Sequence, residues 1–331
     1  MTWRTPAARL ALLELVTCGQ LKRRQGQAAA FDTLAELPWT RTRGRRQVIA
    51  VAPERAADLE ALLTRVWPAW RDVQARMQAA GLTPTPEGYA RYQDRERAAA
   101  LPRLPPRLNR HTAAALTAAH SKTTLTPERH AALGAAQLTH DGIIRLRPPR
   151  GLTAVTRAGT LDLSAMAACL GEVALPERAF LDGLELRGAL RAVMLVENLG
   201  AWRDMPRPPG WLLALVPGWE TTTARRLIEV CRGTPLLHFG DLDPDGVRIY
   251  LHLRRHAPDL RWFVPAFWFA DGATVRERKG GWPRDLDLSF APPAVQALAA
   301  RGQWMEQEQL VLDPRLEAAL EELLRAPPPA S

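Results

Sequence analysis

The chain has 331 residues, of which 47% are hydrophobic and 24% charged, the balance of a globular protein with room for two or three domains. No apolar run approaches the roughly 18 residues that cross a bilayer, and the start lacks a signal-type apolar segment, so a cytoplasmic protein without membrane association is expected. Three widely spaced cysteines, Cys18, Cys169 and Cys231, fit neither a zinc cluster nor a disulfide framework. The net charge of +9 is lopsided: residues 1–150 hold 24 Lys and Arg against 12 Asp and Glu, whereas the remainder holds 20 against 23. Arg-favouring codon usage explains a global excess better than a local one. A basic front that grips a polyanion and a mildly acidic back that works through bound cations is therefore expected.

In chain order, Ala8 to Cys18 and Gln27 to Leu37 carry apolar residues at helical spacing. They precede a hairpin whose tip holds Arg41, Arg43, Arg45 and Arg46 around Gly44. Helices followed by a basic β-hairpin outline a winged helix whose wing lies on phosphates. Ala56 to Ala80 reads as a helix broken at Pro68, and Gly88 to Ala100 as another. The Pro-rich stretch 101–107 is the expected linker.

Beyond it, Asn109 to Ala119 and Thr126 to Leu138 read as capped helices, the second opening with Pro127. Ile143 to Arg147 alternates like a half-buried strand with Arg145 and Arg147 outward, and Leu152 to Arg157 is the expected partner strand. This is a second helix-helix-wing outline. His111, His120, His130 and His140 do not stack on a helix face and are not read as ligands.

The back half alternates strands at Ala192–Val196, Trp211–Val216, Leu236–Phe239 and Arg261–Ala266 with helices at Thr221–Cys231 and Gly246–His256. That order predicts a parallel α/β sheet. Glu197 ends the first apolar run, and Asp241 and Asp243 end the third, at the strand edge where α/β sheets bind ligands. Read alone, the Asp-Leu-Asp serves equally well as helix cap or metal ligand. Glu197 has no capping role, and carboxylates this close need a cation, for which oxygen donors suit magnesium. Asp245 is a weaker ligand candidate and reads first as a capping residue. The turn at Pro217 to Glu220, before Thr221 to Thr223, offers backbone N–H groups to a phosphate. Arg276, Arg278 and Lys279 beside Gly280-Gly281 suggest a lid over a DNA strand, and Glu306 and Glu308 are further candidate acids.

The wording VENLGAW, HFGDLDPDG and WMEQEQ resembles the JetD family, the Toprim nuclease subunits of Wadjet plasmid-defence systems, over the last half of the chain. Glu at one strand end and Asp-x-Asp at a later one is also the Toprim pattern shared with the topoisomerase VI A subunit. The resemblance implies a Toprim-like domain over 171–331, a winged-helix domain over 101–170 and a winged-helix-like, helical arm over 1–100. It implies a Mg2+- or Mn2+-dependent DNA endonuclease with Glu197, Asp241 and Asp243 at its centre, double-stranded DNA as substrate, an SMC-like complex as partner, and a homodimer. Two alternatives are a non-catalytic DNA-binding protein and a topoisomerase VI A-like tyrosine transesterase. The segment from Asn109 to Gly159 contains no tyrosine, which favours hydrolysis by water.

Overall fold

The computed structural model of the chain describes residue 3 and residues 5–44, 47–269 and 274–325. By internal contacts the chain falls into two units, Met1–Leu138 and Thr139–Ser331.

The first unit opens with α1 (Pro6–Cys18) and β1 (Gln20–Lys22), then α2 (Ala28–Ala35), β2 (Thr40–Arg43) and β3 (Val48–Val51). Pro6 suits the first helical position, the Thr5 hydroxyl accepts the Ala8 N–H at 3.2 Å, and Gly19 at φ 69° lets the chain leave the helix. The hairpin expected around Gly44 forms, with Arg43 opposite Val48, and β1 joins β3 on its other side. Next come α3 (Ala56–Val66) and α4 (Trp70–Ala79), parted near Pro68 as expected, and α5 (Pro86–Ala99). Leu12, Leu13, Phe31, Leu34, Ile49 and Leu63 form the buried centre of this unit. After β4 (Arg107–Asn109), α6 (Arg110–Thr117) and α7 (Pro127–Ala132), β5 (Gln137–Thr139) returns to pair with β4. Helix α7 stops short of the expected Leu138 because Gly134 turns the chain at φ 61°. The Pro-rich stretch 101–107 lies within this unit, and the boundary between the units falls later, after Leu138.

The second unit begins with β6 (Ile143–Arg147), β7 (Thr153–Thr156), β8 (Gly159–Asp162), α8 (Leu163–Leu170), β9 (Val173–Pro176), α9 (Glu177–Leu181) and β10 (Glu185–Arg187). It continues with β11 (Ala192–Val196), α10 (Leu199–Asp204), β12 (Trp211–Leu215), α11 (Thr222–Val230), β13 (Leu236–Phe239), α12 (Pro244–Arg254) and β14 (Arg261–Trp262). Last are β15 (Arg276–Glu277), α13 (Pro293–Ala300), β16 (Gln303–Trp304) and α14 (Leu316–Arg325). The main sheet has the order β14-β13-β11-β12-β6-β9. Its first four strands are parallel, while β6 and β9 are antiparallel additions, so the sheet is mixed rather than parallel throughout.

The expected hairpin between Ile143–Arg147 and Leu152–Arg157 does not form. Strand β6 pairs with β12 and β9, and β7 pairs with β8 and β10. Strand β6 buries Ile144 and Leu146 in the main sheet's core, and Pro148-Pro149, lacking N–H donors, ends its ladder.

Every residue of β11 and β12 is buried, which is why both read as unbroken apolar runs. Alternate side chains feed two layers. Val193, Leu195, Leu212 and Ala214 pack with Leu227 of α11 and Leu253 of α12. Met194, Val196, Leu213 and Leu215 pack with Trp202 and with Val295, Met305, Leu316 and Leu320 from the C-terminal segment. That segment is thus a structural layer of the sheet. Leu213→Ala is expected to lower stability by about 2–5 kcal/mol, whereas Ile143→Ala, at a side chain 63% exposed, should stay within about 0.5 kcal/mol. Urea unfolding of both variants checks this.

Candidate metal centre

The ladder between β11 and β13 sets Val196 opposite Phe239, so the next residues of both strands leave the sheet at the same edge. The Glu197 N–H donates to the Phe239 carbonyl at 3.0 Å, extending the pairing by one step. Gly240 follows, and a Cβ there would lie 2.5 Å from Glu197 Oε2 and 2.8 Å from His238 Cε1. Glycine at 240 therefore gives the Glu197 carboxyl its room. The acids after it have separate placements. Asp243 caps α12, its Oδ1 accepting the Gly246 N–H at 2.7 Å. Gly246 passes so near that a Cβ would sit 2.3 Å from the Asp241 carbonyl oxygen. Asp245, in the first turn of α12, lies 3.6 Å from Arg248.

Asp241 is held from two other parts of the chain. Its Oδ1 accepts the Gln307 N–H at 2.8 Å, and the Asn198 amide Nδ2 donates to Oδ1 and Oδ2 at 3.0 and 3.1 Å. The same amide nitrogen lies 3.0 Å from Glu308 Oε2. Leu242 and Met305 exchange backbone bonds in an isolated antiparallel bridge, which seats the C-terminal strap against the Asp-Leu-Asp turn. Gln307 is fully buried. With its amide nitrogen toward the strand, it donates to the Phe239 carbonyl at 3.0 Å and its oxygen accepts the Asn198 N–H at 2.9 Å. Glu308 thereby joins the acid group, while Glu306 turns away to Arg276 at 3.0 Å. Asn198 and Gln307 escaped the sequence reading because amides carry no charge signal. The cue was an amide immediately beside an acid in both VEN and EQE.

Burial, reinforced by the charges of Asp241 and Asp243, pushes the Glu197 carboxyl up to about 8. Burial also pushes Asp241 up to about 6, against the lowering pull of the Gln307 N–H and the Asn198 amide. Glu197 Oε2 and both ring nitrogens of His238 are buried without a hydrogen bond. Burial lowers His238 to about 3, so its imidazole is neutral. Loss of water is the main cause of both shifts, and neighbouring carboxylates add to it. In the side-chain positions described, no group of three His, Cys, Asp or Glu is disposed to close around a metal ion.

The basic candidates are dispersed. Arg41 and Arg43 are exposed on β2, and Arg45 and Arg46 lie outside the described residues. Arg145, expected to face outward, instead makes a bidentate pair with Glu172 at 2.6 and 2.7 Å and sits 5.0 Å over the Trp202 ring. Arg147, also expected outward, is half-buried and donates to the Trp202 and Met205 carbonyls at 2.7 and 2.9 Å, closing the C-terminal end of α10. Both positions hold the fold. Lys279 is exposed in the turn after β15.

The raised carboxyls bind protons more readily in the folded chain than in the unfolded one, so stability falls as pH rises from the ordinary carboxylate range through about 6 and then about 8. With divalent cations chelated, unfolding at pH 8.5 should be easier than at pH 5.5 by about 1–3 kcal/mol. Glu197→Gln should remove much of that difference, as read by urea midpoints at the two pH values.

Residues 156–282 match the family model described as Wadjet protein JetD, C-terminal. No curated protein matches the chain. The matched stretch contains Glu197, Asn198, Asp241, Asp243 and Asp245, and the strap bearing Gln307 and Glu308 follows it. The match makes residues 156–282 similar to the C-terminal region of Wadjet JetD, over less than half of the chain.

Proposed function

We propose that this chain is a divalent-metal-dependent DNA endonuclease of the Toprim type acting in a Wadjet-like defence system. The observation that carries the reading is the buried Glu197 carboxyl, one oxygen of which has no hydrogen bond, aligned beside Asp241 by the β11–β13 register. Acids raised by burial first, and by neighbouring carboxylates second, are what a cation would relieve, and an all-oxygen donor set suits Mg2+ or Mn2+. Glu197, Asp241 and the second oxygen of Asp243 would hold the ion, with Glu308 as a further acid and Asp245 as a weaker candidate. Bound there, the metal supplies charge to the phosphoryl group and a more acidic water.

The chain's own residues do the rest. Asn198 and Gln307 fix the Asp241 carboxylate from two sides. Glu197, protonated near neutral pH before an ion binds, is suited to hold and pass a proton as a general acid or base. A tyrosine nucleophile is disfavoured in this half, because the Tyr250 hydroxyl is buried and donates to the Leu260 carbonyl at 3.2 Å. The basic residues of 1–150, with Arg41 and Arg43 on an exposed hairpin, supply non-specific attraction for double-stranded DNA. The similarity of residues 156–282 to the C-terminal region of Wadjet JetD supports delivery of that DNA by an SMC-like complex; a homodimer is part of the same proposal.

One observation favours a second reading, a non-catalytic DNA-binding protein. Asp243 serves as a helix cap, and the described acids do not close into a ligand group. Supercoiled-plasmid cleavage with Mg2+ or Mn2+, alone and with SMC partners, separates the two. Wild type should nick or linearise DNA and leave ends free of protein. Glu197→Ala and the Asp241→Ala/Asp243→Ala double variant should lose about 10²–10⁴-fold in rate. Inert wild type with tight, salt-sensitive binding would instead establish the second reading.

A further inference from the structure

The other end of the same unit carries an arginine-lined hollow that the acid site does not use. Arg147 stands opposite Leu213 in the antiparallel β6–β12 ladder, so the chain leaves β6 at the edge of the sheet away from Glu197. There Arg147, Arg150 and Arg207 line a hollow of about 680 Å3 whose floor is the small-residue face of α8, including Ala165 and Ala168.

Two of the three guanidiniums are anchored by neutral acceptors. Arg147 spends one nitrogen on the Trp202 and Met205 carbonyls, and Arg207 donates to the Pro148 carbonyl. Arg150 is exposed, with no hydrogen bond or ion pair to a described residue. Carbonyls orient these cations without neutralising them. Among the described residues, no carboxylate lines the hollow. The acids nearby are otherwise engaged or outside it: Asp162 accepts the Ala165 N–H and the Ser164 hydroxyl, and Glu172 is paired with Arg145 and Arg203. Burial and the charges of Arg207 and Arg203 hold Arg147 below its usual range against the opposing pull of Asp204, so its cationic neighbours outweigh the nearby acid.

We infer that this hollow binds a phosphate group. Planar guanidiniums held at fixed angles match phosphate oxygens, and the arriving anion relieves the repulsion among them. The group comes either from a nucleic-acid backbone or from free phosphate. The inference is independent of metal-dependent cleavage, since it concerns binding at the opposite edge.

The test uses the full chain carrying Glu197→Ala, with divalent cations chelated, so that cleavage plays no part. Arg150→Ala and Arg207→Ala are each compared with Arg187→Ala, which removes an equal charge from an exposed Arg187–Glu185 pair. A fluorescent DNA duplex is titrated across salt concentrations, and thermal unfolding is followed with inorganic phosphate against chloride at matched ionic strength. For a backbone phosphate, duplex affinity falls and the slope of log affinity on log salt shrinks by about 0.9 for each phosphate no longer neutralised, beyond any change in Arg187→Ala. For free phosphate, duplex binding is unchanged but stabilisation by inorganic phosphate disappears in the variants. Unaltered duplex binding and unaltered phosphate stabilisation would overturn the inference, as would effects equal to those of Arg187→Ala. Because Arg207 also holds Pro148, Arg150→Ala and Arg150→Glu decide the matter should Arg207→Ala fail to fold.

Discussion

The parallel pairing of β11 with β13 is the constraint from which the acid site follows. Backbone bonds in a ladder fix register to a single residue, and here that register makes Val196 and Phe239 neighbours. Glu197 and the Gly240-Asp241 turn therefore leave the sheet at one edge whatever the charges prefer. The free energy that holds two repelling carboxyls at one edge comes from the sheet beneath them, whose residues Met194, Leu195 and Leu237 are all fully buried. Electrostatic strain is thus imposed at the site and supported by apolar packing elsewhere.

Amides mediate between the acids. Asn198 presents a neutral donor to Asp241 and Glu308 at once, so two carboxylates share one NH2 group without a cation between them. Gln307 does the corresponding work for the backbone, joining the end of β13 to the start of α10. A lysine or arginine in place of Asn198 would set a positive charge beside Asp241 and Glu308. The neutral amide orients both acids without adding that charge.

Much of this architecture was legible in the residues. Strands 192–196 and 236–239 are read to the residue because a strand buried on both faces reads as a short, nearly continuous apolar run, broken here only by the buried His238. Pro68 and the capping residues Asn109 and Thr126 act locally, and local chemistry is visible in sequence. The partner of β6 was not legible. Its alternation marks a half-buried strand, but which strand it joins depends on a vacant edge beside β12, contributed by residues some distance along the chain. Arg145 and Arg147 misled for the same reason: Trp202, Glu172 and Met205, which engage them, are remote in sequence. The strap from Trp304 to Gln309 showed neither helical nor strand periodicity, because it is held by a short β15–β16 pairing, one isolated bridge, the Gln307 N–H and side-chain amides.

The strap also gives the site a place in time. The Asn198–Glu308 bond spans 110 residues, and the Gln307–Asp241 bond spans 66. Interactions of such sequence separation close late, because the intervening chain loses conformational entropy before they form. A chain emerging from the ribosome can build β11, β13 and the Asp-Leu-Asp turn while Asp241 still lacks the Gln307 N–H and Glu308 has not been made. The acid group is completed only once residues through Glu308 have been made, so a copy synthesised no further than the Asp-Leu-Asp turn carries the strands of the site without its finished arrangement.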